Sequence, residues 1–130
     1  MNSGMLLRFL STVISAKEYF FMSTGYKKKE LEALFDQVEV VDKEIEAYRY
    51  YLALKNNLTF ILSISPYDEF ASISLWRKDL ESWIFDIGVN NLAWIICDKN
   101  SVKLYKDENK KKVSVFITIK PKFFLQCDAF

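Results

Sequence analysis

The sequence predicts an α+β fold, with one or two N-terminal helices packed on a curved, mainly antiparallel sheet of about seven or eight strands. Three observations carry this. Residues 45–65 form two period-two arms around Lys55-Asn56-Asn57, the pattern of a β-hairpin. Short alternating runs recur to the C-terminus, and the helical spacings fall in the first 36 residues. Helices followed by a series of strands place the helices on one face of an antiparallel sheet.

Residues 1–22 open the chain, with Leu6, Phe9, Leu10, Val13 and Ile14 on one helical stripe. Arg8 interrupts the apolar run, which is shorter than the ~20 residues a bilayer span requires. A helix packed on the domain is expected there. Ser23-Thr24-Gly25 breaks the chain, and a second helix is expected over residues 26–36, with Leu31, Leu34 and Phe35 inward. Lys27, Lys28 and Lys29 at its start oppose the helix dipole, which Thr24 as N-cap would ease.

In the hairpin, Tyr48, Tyr50, Leu52 and Leu54 share one face of the first arm, and Leu58, Phe60, Leu62 and Ile64 one face of the second. After the Pro66 turn, Ala71, Ile73 and Leu75 alternate with Phe70, Ser72, Ser74 and Trp76. Residues 83–89 and 92–97 read as a second hairpin around Asn90-Asn91, with Trp83, Phe85 and Ile87 on one face and Ile84 and Asp86 on the other. A strand over 102–106, an exposed loop over 107–112 and a strand over 113–119 with Val115, Ile117 and Ile119 inward come next. Pro121 ends that strand or marks a bulge, and residues 123–127 form the last one.

The 130 residues fit a single domain, 1–130, with a helical part in 1–36 and the sheet over 45–128. A chain 51% hydrophobic and 16% aromatic can bury a core without staples. Its net charge of +1 lends no support to a nucleic-acid or membrane-surface role. It contains no histidine, which removes the commonest general base and metal ligand. Cys97 and Cys127, each followed by aspartate, make a poor zinc set without a C-x-x-C pair. They read as core thiols near strand ends in a reduced, cytoplasmic protein. No cofactor, P-loop or nucleophile motif is present. The carboxylate pairs Asp68/Glu69 and Asp79/Glu81 read as solvated turns, and Asp86 as a strand carboxylate with a partner. The lysines of the last third, from Lys99 to Lys122, read as outward strand positions and edge protection.

The charge asymmetry with most to say lies earlier. Glu30, Glu32, Asp36, Glu39, Asp42, Glu44 and Glu46 face only Lys43 as a counter-charge. Such a stretch is either a solvated face or a docking surface for a basic partner.

The helix end Leu31-Glu32-Ala33-Leu34-Phe35, the step from Val41-Asp42 into a tyrosine-rich strand, the run over 58–64, Trp76, Phe85-Asp86-Ile87, Asn91-Leu92 and the closing Ala129-Phe130 together resemble a known class. They resemble the small immunity proteins of bacterial polymorphic-toxin and contact-dependent inhibition systems, nearest to the immunity protein 50 type. The chain departs from that pattern at Asp36, where the pattern has glycine, and in its additional apolar N-terminus. The resemblance implies a non-enzymatic protein that binds and neutralises a cognate toxin by masking its active site or substrate path. The acidic stretch would then complement a basic toxin, for instance a nuclease gripping phosphates. The rivals are a β-barrel-like protein binding a small apolar ligand and a hydrolase using carboxylates alone.

Overall fold

The computed structural model describes residues 24–128, and among these it places nine strands in two antiparallel sheets. The first sheet is a meander of β1 (Gln37–Asp42), β2 (Ala47–Ala53), β3 (Leu58–Ser65), β4 (Phe70–Arg77) and β5 (Ser82–Val89). The second is a meander of β6 (Trp94–Cys97), β7 (Ser101–Tyr105), β8 (Val113–Thr118) and β9 (Phe124–Cys127). The expected helix over 1–22 lies outside the described residues.

The expected second helix contracts to one short element, α1 (Lys28–Glu32). Among the described residues the fold is therefore mostly β, with one short helix, rather than clearly α+β. Two features stop the helix. Its N-cap is Lys27, which makes no side-chain cap bond; Thr24 instead donates its hydroxyl to the Leu92 carbonyl at 2.7 Å. At the other end, the Asp36 amide donates to Tyr51 O and the Asp36 carboxylate accepts from the Ala53 amide at 2.7 Å. That clamp turns the chain straight into β1, whose Val38, Val40 and Val41 favour extended backbone.

The central hairpin forms as the sequence predicts. Asn56 and Asn57 take φ of 62° and 60°, the two positive values of a type I′ turn. The pairings Tyr48↔Ile64, Tyr50↔Leu62 and Leu52↔Phe60 put all six side chains on one face. That face continues through Ala71, Ile73, Ile87 and Val89. The second sheet contributes Ile95, Val102, Leu104, Val115 and Ile117 to the same hydrophobic cluster, so the two inner faces share one core. Phe35 packs on Tyr50 and Phe60 from the helix end, and Phe60 meets Phe123 at 4.9 Å between ring centroids.

Asn90-Asn91 is not a hairpin turn. β5 pairs only with β4 and β6 with β7, and the chain crosses here from one sheet to the other. Asn91 does take a positive φ of 57°, but the next amide, Leu92, is captured by the Glu69 carbonyl rather than by a returning strand. Gly25 docks on the edge of β6, bridging Ala93 and Ile95 through its backbone.

Candidate functional site

The outer face of the first sheet carries the site. Its side chains follow from the register in three rows. Glu39, Arg49, Ser63, Ser72 and Gly88 form one, and Gln37, Tyr51, Ile61, Ser74 and Asp86 the next. Ala53, Thr59, Trp76 and Trp83 form the third. Ser63, Ser72 and Ser74 lie low in the middle of this face, between Arg49 and Tyr51 on β2 and the indoles of Trp76 on β4 and Trp83 on β5. The result is an open trough of about 600 Å³, running along the strands. Its walls stand two to three strand spacings apart, about 10–14 Å, room for one element of a protein partner.

One wall is polar. Glu39 Oε1 accepts from the Tyr51 hydroxyl and from Arg49 Nη1 at 3.3 Å, while Arg49 Nε donates to Ser63 Oγ at 3.3 Å. Burial, aided by the Glu39 carboxylate, raises the Tyr51 phenol above its ordinary value. The opposite wall is aromatic. Trp76 and Trp83 meet edge to face, centroids 4.9 Å apart and planes at 71°. Trp83 reaches this face because the pairing slips between Leu75 and Trp76: Leu75 faces Phe85, but Trp76 faces Trp83, with Ile84 as the extra residue. Trp83 therefore does not share the Phe85 and Ile87 face that strict alternation predicts. Asp86 is exposed beside it and accepts from Ser74 Oγ at 2.7 Å, a strand carboxylate with a neutral partner.

The seven acidic residues of the sequence do not form one surface. Asp36 lines the trough, although one carboxylate oxygen is committed to the Ala53 amide, and Glu39 stands on its rim. Asp42 caps the Glu44 amide in the β1–β2 turn. Glu30 pairs with Lys27 and Glu32 with Lys28, both at 3.8 Å. Lys28 also donates to the Tyr48 hydroxyl at 3.0 Å, the main cause of its raised pKa, and feels Glu32 and Glu46 as well. Glu32 and Glu46 thus belong to the corner around α1. The trough itself has one mark in the sequence: Trp76 follows Ser72 and Ser74, and Tyr51 follows Arg49, on strand positions of the outer face.

The remaining candidates hold structural partners. Asp68 accepts from Ser65 Oγ at 2.7 Å and Asp79 pairs with Arg77 at 2.9 Å, which lowers the Asp79 pKa. Among the described residues no group of three or more His, Cys, Asp or Glu could hold a metal. Cys97 is half-buried, whereas Cys127 is exposed rather than a core thiol; both are free. Lys103 and Lys110 lie over Phe116 and Trp94 at 5.5 and 4.3 Å. Among the described residues no helix is long and apolar enough to cross a membrane.

No family model matches the chain, and no curated protein matches it. A solved structure does. A chain of a contact-dependent growth inhibition toxin–immunity protein complex from Klebsiella pneumoniae 342 superposes with a TM-score of 0.62, covering 83% of this chain and 96% of that one. The two share 12% sequence identity, so the likeness is one of fold. The resemblance drawn from the sequence thus has a counterpart in three dimensions.

Proposed function

We propose that this chain is a cytoplasmic immunity protein that binds and neutralises a bacterial toxin domain without catalysing a reaction, and that the trough on the first sheet is where it docks. The observation carrying this reading is the fold shared with a chain of a toxin–immunity complex. The trough adds what a docking face needs: aromatic anchors, an arginine and small hydrogen-bonding groups on a rigid sheet. Its carboxylates, Asp36, Glu39 and Asp86, exceed the one arginine there, which favours a basic toxin such as a nuclease. The apolar-ligand alternative is less well supported, because the aromatic side chains Phe35, Tyr50 and Phe60 are buried and pack on one another.

The test starts from the reading frame beside this chain, where this reading expects a toxin domain. Wild-type protein is expected to bind it and to abolish its activity in a reconstituted assay. Reversing Glu39 on the rim together with Asp42, Glu44 and Glu46 in the β1–β2 turn to lysine should slow association about tenfold or more and remove its salt dependence, as expected for charges that steer encounter from outside the contact itself. Reversing Lys110, Lys111 and Lys112 to glutamate should leave association unchanged. A toxin that binds wild type and both sets of variants at the same rate refutes the electrostatic part of the reading. A toxin left fully active by excess wild-type protein refutes the function.

A further inference from the structure

We propose that the Trp76–Trp83–Asp86 corner of the trough is a receptor for one arginine side chain presented by a protein partner. This rests on the reading of the trough as a docking face and names what it grips. The two indoles stand edge to face, so the contact between them covers one face of one ring only, and Trp83 is 50% exposed. Beside them Asp86 is fixed on one oxygen by Ser74 Oγ at 2.7 Å. Its other oxygen, Oδ2, has no hydrogen bond or ion pair among the described residues, unlike Glu39 with Arg49, Asp79 with Arg77 and Asp128 with Lys112. The corner is thus an oriented carboxylate without a cation, next to two aromatic faces.

That chemistry selects a cation, and the geometry selects its kind. A guanidinium is planar, stacks on indole and forks onto a carboxylate, whereas an ammonium is a compact, strongly hydrated point charge. A free small cation would find two indoles and one carboxylate on an open trough, too little enclosure for a small-molecule site. An arginine carried on a partner has the rest of the interface to hold it there. The slip at Ile84 is what builds the corner. In unbroken register Ile84 would face Trp76, and Trp83 would turn to the opposite side of the sheet.

Two measurements test this. In the first, the indole N–H signals of the intact protein are followed by NMR while an acetylated, amidated Gly-Arg-Gly peptide is added up to about 50 mM, a range suited to one isolated charge–aromatic contact. The control peptide carries citrulline, a neutral isostere of arginine. Saturable shifts of the Trp76 and Trp83 signals with the arginine peptide are expected, at least threefold weaker in Asp86→Asn and absent with citrulline. Equal responses to both peptides, no saturable response, or an unaltered Asp86→Asn titration overturns the proposal.

In the second, the dissociation constant for the neighbouring toxin domain is measured for Trp83→Ala and Asp86→Asn, with folding checked by the NMR spectrum. An increase of about tenfold or more is expected for each. If wild type binds the toxin and both variants bind equally well, the arginine receptor is refuted while the immunity reading stands. If the peptide binds as expected but the toxin does not bind wild type, the receptor stands and the immunity reading fails.

Discussion

Substituting Gly25 by alanine tests whether the segment before α1 is part of the folded unit. A Cβ at Gly25 would lie 2.3 and 2.4 Å from Trp94 Cζ3 and Cε3. Ordinary carbon–carbon separation is about 3.5 Å, so the ring has to retreat by roughly 1 Å. The ring is held in place on other sides. Trp94 Nε1 donates to the Glu108 carbonyl at 3.0 Å, and Lys110 Nζ sits 4.3 Å above the ring centre. Overpacking of this kind costs about 1–3 kcal/mol, and loss of the hydrogen bond and the cation–π contact adds about 1–2 kcal/mol. The lower entropy of the unfolded alanine chain returns about 0.4–1 kcal/mol. The net is a destabilisation of about 1–4.5 kcal/mol, or roughly 4–17 °C in Tm for a chain of this length. Gly88→Ala is the matched control. There the nearest atoms are Phe70 Cε1 and Cζ at 3.0 and 3.1 Å, on a half-buried ring that can yield. Urea denaturation followed by circular dichroism should place the Gly88 variant within about 0.5 kcal/mol of wild type. If Gly25→Ala matches Gly88→Ala, the docking of Gly25 against Trp94 is refuted.

Other expectations follow from buried or exposed groups. Tyr50 is fully buried, and its hydroxyl faces that of Tyr26 without closing a short hydrogen bond among the described residues. Tyr50→Phe should leave stability unchanged or raise it by up to about 1 kcal/mol, and a clear loss in urea denaturation would show an unseen partner. Burial pushes the Tyr26 phenol from 10.0 up to about 12. The folded state holds that proton while the unfolded chain releases it. Its contribution to stability should therefore be complete below about pH 10 and gone once the pH has passed about 12, a decline that Tyr26→Phe flattens in urea midpoints measured against pH. Burial also pushes the Cys97 thiol up to about 12, while Cys127 is exposed. Iodoacetamide at mildly alkaline pH should alkylate Cys127 first, as read by peptide mass spectrometry. The two cysteines sit on opposite edge strands of the second sheet, so an intramolecular disulfide between them would contradict the strand order. Arg49 and Glu39 form an exposed pair, and Glu39→Gln should change stability by less than about 1 kcal/mol.

Period-two patterning made the sheets legible wherever one face is buried. The Tyr48–Tyr50 arm, the Ala71–Ile73 arm and the Val115–Ile117 arm could be read directly, because a slip by one residue would expose every one of those side chains. The helix was overread because Leu31, Leu34 and Phe35 keep helical spacing although Leu34 and Phe35 lie beyond the helix end. The clamp of Asp36 on Ala53 and Tyr51 is long-range, and no local pattern announces it. Asn90-Asn91 shows the same limit. Positive φ is a local preference that suits a hairpin and a crossing between sheets equally well. The site was only partly legible. Its acidic charge was visible, but the trough depends on cross-strand register and on the slip at Ile84, which turns Trp83 over.

That register has a consequence for how such a protein can diversify. On β2 to β5 alternate residues answer to different demands: Tyr50, Leu62, Ile73 and Ile87 hold the core, while Tyr51, Ser63, Ser74 and Asp86 face outward. The outward set makes few contacts that folding requires, so exchanging its members changes what the sheet can grip while leaving the inner lattice untouched. The chemistry of the outer face can then change one strand position at a time, at little risk to the fold that displays it.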